Sequence, residues 1–173
     1  VWQNELGTKQ NYTYNELYNE VAQLVCYFKE INIQAGDRVV AYTPNLPQTI
    51  VAFLAAQSIG AIWSSCSPDF GTASVVDRFA QIEPKVLIAS STYSYNGKSK
   101  DKKQDVEEII SQIPSIKHVV AIDDIFYDVA IGQKKWSEIK QLSVHEINFE
   151  YQDFNAPIWI LYSSGTTGKP KGN

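Results

Sequence analysis

The residues best suited to chemistry in this 173-residue sequence stand near its end, between Tyr162 and Gly172. Glycines there let the backbone turn so that several N–H groups converge on one point. Hydroxyls and lysines add further donors and positive charge, and together these groups suit a polyphosphate. For Lys171, contact with phosphate and simple solvation both stay open. The predicted phosphate-binding residues are Ser163, Ser164, Gly165, Thr166, Thr167, Gly168, Lys169 and Lys171.

Two common phosphate-binding motifs do not fit this segment. A Walker loop has four residues between its glycines and a hydroxyl after Gly-Lys, whereas Gly165 and Gly168 are separated by two residues and Pro170 follows Lys169. The dinucleotide fingerprint needs two glycines one residue apart, directly before a helix. The motif therefore belongs to neither class.

Predicted helices and strands alternate along the chain before this motif, and these elements must position it. Thr13 and Glu16 form a capping box before apolar residues at helical spacing, which predicts a helix over 14–30. Strands separated by helices predict an α/β fold with a mostly parallel sheet, in which ligands bind beyond the carboxyl ends of the strands. The other predicted helices are 45–60, 73–82, 105–113 and 136–139; the predicted strands are 38–42, 61–63, 85–89, 118–122 and 157–162; and 90–103 is predicted as a polar loop.

Composition excludes several classes of partner. The net charge of −4 provides no general attraction for nucleic acid or for an anionic membrane. The two cysteines, Cys26 and Cys66, are too far apart in sequence for a metal motif, and we expect reduced thiols of an intracellular protein. No apolar run approaches the roughly 18 residues needed to span a bilayer. Methionine is absent even at position 1, so we expect a piece of a longer protein.

The segment Tyr162–Gly172 resembles the signature Tyr-Ser-Ser-Gly-Thr-Thr-Gly-x-Pro-Lys-Gly of the adenylate-forming enzymes, the acyl-CoA synthetase and luciferase superfamily. Every position of the signature is matched. Shorter upstream segments at 12–17, 36–39 and 44–47 resemble other landmarks of the superfamily. Within it, residues 53–71 and 74–87 resemble one branch, the acetoacetyl-CoA synthetases.

This resemblance implies the function and the co-substrates. The chain would be part of the large N-terminal AMP-binding domain of a cytosolic enzyme that uses ATP, Mg²⁺ and CoA to convert acetoacetate into acetoacetyl-CoA, for lipid synthesis from ketone bodies. The C-terminal domain and its catalytic lysine would lie outside residues 1–173, so we expect no catalytic or metal-binding residue here and no activity from the piece alone. The alternatives are another short-chain carboxylate–CoA ligase and a non-catalytic nucleotide- or CoA-binding module.

A second candidate site lies at Tyr95, Gly97 and Lys98. In the related acetyl-CoA synthetases a basic, glycine-containing stretch at this place meets the phosphates of CoA, and Tyr95 could stack on adenine. The alternative is an Asn-Gly turn in a mobile loop. Elsewhere, Cys66 is expected to be a small buried thiol, and Arg78 is expected to form structural ion pairs.

Overall fold

The structure of the chain is a computed structural model, and it describes residues 1–5, 7–163 and 170–172. The strands in chain order are β1 (Trp2–Gln3), β2 (Lys9–Gln10), β3 (Arg38–Tyr42), β4 (Ile62–Cys66), β5 (Val86–Ala89), β6 (Thr92–Tyr95), β7 (Lys98–Asp101), β8 (His118–Ala121), β9 (Gly132–Lys135), β10 (Tyr162–Ser163) and β11 (Lys171–Gly172). The helices are α1 (Tyr14–Glu30), α2 (Pro47–Ser58), α3 (Thr72–Phe79), α4 (Lys103–Gln112) and α5 (Trp136–Ile139), with a 3₁₀ turn at Ala80–Ile82 after α3.

A five-stranded sheet forms the centre of the molecule, in the order β4-β3-β5-β8-β9, and every neighbouring pair in it is parallel. Helices cover both of its faces, so strand side chains of both orientations are buried and the strands are apolar rather than alternating. Val39, Ala41 and Ile88 pack with α1, α2 and α5, whereas Val40 and Leu87 pack with α3 and α4. Burial of each of these valine, leucine and isoleucine side chains contributes about 1.5–3 kcal/mol. The predicted α/β fold with a parallel sheet is confirmed.

The two-sided packing opens a crevice at the carboxyl ends of β3 and β5. The chain leaves β3 for α2 on one face and reaches α4 on the other face after β5. Neighbouring strands whose connections diverge in this way leave room for a ligand. The resulting cleft has a volume of about 340 Å³ and is lined by Trp2, Gln3, Asn4, Glu5, Pro44, Asn45, Leu46, Ser90, Thr92, Tyr93, Ser94 and Asp123.

Most predicted boundaries agree with the structure. Helix α1 begins at Tyr14 behind the capping box, in which the Glu16 N–H donates to Thr13 Oγ1 at 3.1 Å and the Thr13 N–H donates to the Glu16 carboxylate at 2.7 Å. Helix α2 begins at Pro47, which has no N–H to leave unbonded, and α5 occupies the predicted 136–139.

The prediction of a polar loop over 90–103 is wrong. Strands β6 and β7 form an antiparallel hairpin there, with Asn96 and Gly97 at φ 51° and 71° in its turn. Positive φ at both central residues is the geometry of a hairpin turn whose twist matches its strands. Few of the hairpin side chains are buried, so apolar periodicity gave no sign of it.

The prediction of one continuous strand over 157–162 is also wrong. Only Trp159 pairs with the sheet, through a single parallel bridge to Trp63, and the strand proper is the two-residue β10. The polar strand β9, Gly132–Lys135, was not predicted, because glycine and lysine seldom indicate a strand.

Candidate functional site

The two flanks of the glycine-rich motif lie side by side. Strands β10 and β11 are antiparallel, with Tyr162 opposite Gly172 and Ser163 opposite Lys171. The side chains of Ser163 and Lys171 are exposed there, as groups that donate hydrogen bonds to a bound phosphate must be. The other predicted phosphate-binding residues, Ser164, Gly165, Thr166, Thr167, Gly168 and Lys169, lie outside the described residues.

The segment before the motif is held along β4. The Trp63 N–H donates to the Ile158 carbonyl at 3.1 Å, and the Ile160 N–H donates to the Trp63 carbonyl at 2.8 Å. The Ser64 hydroxyl then donates to the Ile160 carbonyl at 2.9 Å. These bonds hold residues 158–160 parallel to β4, so the chain runs toward the carboxyl end of that strand. The motif therefore begins at the edge where ligands of parallel sheets bind.

Helix α3 and the turn after it contact both flanks of the motif. The Tyr162 hydroxyl donates to the Arg78 carbonyl at 2.6 Å, and the Gln81 amide donates to the Pro170 carbonyl at 2.8 Å. The guanidinium of Arg78 lies 4.6 Å from the ring centroid of Phe70 and 6.0 Å from that of Tyr162. Arg78 thus stacks between two aromatic rings, where the sequence had favoured an ion pair.

Burial fixes the protonation of two groups beside the motif. It raises the pKa of Tyr162 to about 12, so the hydroxyl remains a donor at neutral pH. It also raises the pKa of Cys66 to about 11, which keeps this buried thiol protonated and unreactive. The expectation of a small buried thiol at Cys66 agrees with the structure.

The second candidate site lies at the tip of the β6–β7 hairpin. Tyr95 is 57% exposed, Lys98 is exposed and Gly97 occupies the turn. The N–H groups of Asn96 and Gly97 donate to the two carboxylate oxygens of Glu5, at 2.9 and 3.3 Å. The turn therefore offers two convergent donors to an anion, and Glu5 supplies that anion in this structure.

Lys100 is a cation at this hairpin that sequence reasoning did not assign to either candidate site. Its ammonium lies 5.4 Å from the ring centroid of Tyr93 and 5.6 Å from that of Tyr95. The hairpin register places Lys100 directly opposite Tyr93. Alternation of tyrosine and lysine on the two sides of Asn96-Gly97 was the signal that could have revealed it.

The turn before α3, residues 67–71, joins the two candidate sites. The Tyr42 hydroxyl lies within hydrogen-bond distance of the Pro68 and Phe70 carbonyls, at 3.2 and 3.0 Å. Asp69 accepts a hydrogen bond from the Tyr93 hydroxyl, which lowers the pKa of Asp69 and raises that of Tyr93. The turn thus contacts the hairpin through Asp69 and α3 through Phe70.

The hairpin is fixed to the sheet by one carboxylate. Asp123, just after β8, accepts hydrogen bonds at Oδ2 from the Ser91 N–H at 2.5 Å, the Ser90 hydroxyl at 2.9 Å and the Thr92 N–H at 3.0 Å. A charged acceptor that receives several donors makes a strong anchor. Asp123 therefore sets the direction in which the chain passes from β5 into β6.

Two classes of feature are missing from the part of the chain that the structure describes. Across residues 1–5, 7–163 and 170–172, no group of three or more His, Cys, Asp or Glu side chains could hold a metal ion. Across the same ranges, no helix is both long and apolar enough to cross a membrane.

The family model for the AMP-binding enzyme matches residues 2–173. The chain belongs to the AMP-binding enzyme family. The match includes the motif at 162–172, the hairpin and the central sheet, so both candidate sites lie on elements of this family's domain.

Individual members of the family are similar over nearly the whole chain. "Acetoacetyl-CoA synthetase" from Xenopus tropicalis is 38% identical over 174 residues, covering 92% of this chain and 25% of that protein. "Acetoacetyl-coenzyme A synthetase" from Rhizobium meliloti (strain 1021) is 39% identical over 175 residues, covering 99% of this chain and 27% of that protein. The solved structure of the acetoacetyl-CoA synthetase from Streptomyces lividans has a TM-score of 0.86 and 40% identity, over 92% of this chain and 25% of that chain. The chain thus spans about a quarter of the length of these relatives.

Proposed function

We propose that the protein containing this chain is an AMP-forming acid–thiol ligase that converts acetoacetate, ATP and CoA into acetoacetyl-CoA, AMP and pyrophosphate. The observation that carries the proposal is the motif at 162–172, whose paired flanks stand at the carboxyl edge of the sheet. The names of relatives 38–39% identical to the chain support the choice of acetoacetate.

The reaction proceeds in two displacements. The acetoacetate carboxylate attacks the α-phosphorus of ATP, the bond to the β-phosphate breaks, and pyrophosphate leaves acetoacetyl-AMP behind. The sulfur of CoA then attacks the acyl carbon, the thiol proton is lost, and AMP leaves with the electron pair of the broken acyl–oxygen bond. Both steps depend on positioned positive charge and N–H donors around the phosphates.

Residues 163–171 hold the β- and γ-phosphates of ATP in this proposal. Ser163 and Lys171 stand exposed at the two flanks, and the predicted donors between them include Thr166 and Thr167. Mg²⁺ enters bound to ATP and shares the phosphate charge. In this proposal, the protein ligands of Mg²⁺ lie in other parts of the protein.

The hairpin tip fits a phosphate of CoA. The Asn96 and Gly97 N–H groups hold a carboxylate, so their geometry suits an anion, and Lys98 adds charge beside them. The exposed ring of Tyr95 gives adenine a surface for stacking. A CoA phosphate would take the place of the Glu5 carboxylate.

Residues 1–173 form part of the N-terminal AMP-binding domain in this proposal, and other parts of the protein supply the C-terminal domain with its catalytic lysine. The isolated chain is therefore inactive. The enzyme acts in the cytosol on small molecules, without nucleic acid or membrane as a partner, and uses ketone bodies for lipid synthesis.

The test is to supply the complete gene product with Mg²⁺, ATP, CoA and acetoacetate, and to measure AMP and acetoacetyl-CoA. Acetate and propionate in parallel reactions test acyl specificity, and we expect the highest kcat/KM with acetoacetate. The double variant Thr166→Ala/Thr167→Ala should lower kcat/KM for ATP about 100-fold, because it removes hydrogen-bond donors to the phosphates.

Thr8→Ala serves as the matched control, because Thr8 is an exposed threonine outside the motif, before strand β2. If kcat/KM is higher with acetate or propionate, that acid and not acetoacetate is the substrate. If the protein binds nucleotide but forms no CoA ester from any of the acids, it is a non-catalytic nucleotide- or CoA-binding module.

A further inference from the structure

Both flanks of the glycine-rich motif are bound by one four-residue segment, Arg78–Gln81. The Tyr162 hydroxyl reaches the Arg78 carbonyl at 2.6 Å on one flank, and the Gln81 amide reaches the Pro170 carbonyl at 2.8 Å on the other. These are contacts between parts of the chain 84 and 89 residues apart. The segment thus ties the two ends of the motif to one rigid body.

The segment is itself well anchored. Val75 and Phe79 of α3 are fully buried against the sheet, so the helix cannot shift without opening the core. The Gln81 amide nitrogen also donates to the Asp77 carbonyl at 2.5 Å, which orients the side chain toward Pro170. Gln81 is therefore held in position before it contacts the motif.

A second line of contacts joins this segment to the core. The guanidinium of Arg78 stacks 4.6 Å from the ring centroid of Phe70 and donates to the Ser74 carbonyl at 2.7 Å. The main-chain carbonyl of Phe70 lies 3.0 Å from the hydroxyl of Tyr42, which is fully buried in the sheet. The flank at Tyr162 is thus linked to the core through Arg78, Phe70 and Tyr42.

We propose that Tyr162 and Gln81 are positioning residues, which hold the paired flanks of the motif against α3 and the turn after it and so set the affinity of the motif for the phosphates of ATP. The inference rests on the proposed function. A loop whose ends are fixed in advance loses less conformational entropy when it binds, so loosening either end weakens binding. Because both contacts are made to the flanks of the motif, which binds the β- and γ-phosphates in the proposed function, the loss should raise KM for ATP while kcat changes little.

The test uses Tyr162→Phe, Gln81→Ala and Gln81→Met in the complete gene product. Each removes one hydrogen bond between a flank and the segment Arg78–Gln81, and Gln81→Met does so with little change in side-chain size and no added charge. We expect KM for ATP to rise about fivefold in each, the ratio expected for one ordinary hydrogen bond. The KM for the carboxylate, kcat and Tm should stay close to their wild-type values.

Two matched controls remove similar groups elsewhere. Tyr18→Phe removes a hydroxyl that accepts a hydrogen bond from the Ile147 N–H at 3.0 Å, and Gln112→Ala removes an exposed glutamine at the end of α4. Neither should change KM for ATP.

The outcomes separate this inference from the proposed function. An unchanged KM for ATP in all three variants of an active enzyme would overturn the inference alone. A fall in kcat, carboxylate affinity and Tm together would overturn it as well, since that is the signature of a merely structural role. If the wild-type protein neither consumes nor binds ATP, the proposed function fails and the inference fails with it.

Discussion

At the scale of single residues, His118 is a group whose protonation is coupled to folding. Its ring packs against Gly132 in the neighbouring strand, where a Cβ on that glycine would lie only 2.4 Å from His118 Nδ1. Burial lowers the pKa of His118 below its ordinary value of 6.5. The unfolded chain therefore binds this proton more readily than the folded chain does, and protonation of His118 favours unfolding.

The contribution of His118 to the free energy of unfolding is therefore fully present above pH 6.5. It is expected to fall as the pH drops through that value. His118→Gln should flatten this dependence. Urea unfolding between pH 7.5 and 5 measures the slope, and an NMR titration of the folded protein gives the pKa directly. A wild-type slope that survives in His118→Gln would contradict the assignment.

At the scale of elements, the β6–β7 hairpin depends on the sheet for its position. Its own strands pair only with each other, and the Asp123 carboxylate fixes its first residues. The Glu5 carboxylate holds its turn from the other end. Carboxylates from two distant parts of the chain thus hold an element that carries the candidate CoA residues.

Asp123→Ala should destabilise the fold by about 2 kcal/mol, since it leaves several donors without their charged acceptor. The loss should be concentrated in the hairpin, and hydrogen exchange of the β6 and β7 amides measures it. Asp153→Ala, at an exposed aspartate in segment 151–156, is the control and should change stability by less than about 0.5 kcal/mol. Equal protection of the hairpin in both variants would mean that Asp123 is not its anchor.

At the scale of the whole molecule, the segment before the glycine-rich motif exposes large apolar side chains. Tyr151 and Phe154 are almost wholly exposed, and Ile158 and Leu161 are more than half exposed. Large apolar side chains exposed together in one segment favour association in water. The same segment extends the sheet beyond β4 by a single bridge at Trp159, which leaves a sheet edge there.

The isolated 173-residue chain is therefore expected to self-associate as its concentration rises, which light scattering can follow. The double variant Phe154→Ser/Leu161→Ser should reduce the association. Tyr14→Ser removes one equally exposed aromatic outside this segment and is the matched control. A chain that stays monomeric at every concentration would show that the exposed surface is too small to associate.

The sequence by itself was enough for the features that depend on short-range pattern. The capping box at Thr13, Pro47 at the start of α2 and the apolar runs of the parallel strands each predicted an element that the structure confirms. The glycine-rich motif pointed to the family, and the comparison confirmed it. The site residues within the motif stay predictions, because most of them lie outside the described residues.

Only the tertiary structure decided which distant groups meet. Gln81 contacts Pro170 across 89 residues of sequence, and Glu5 contacts the hairpin turn at Asn96 across 91. Helix caps, turns and apolar periodicity are consequences of local sterics and burial, so neighbouring residues encode them. Contacts such as these follow from the order of strands in the sheet and from the face that each helix covers, which no local pattern specifies.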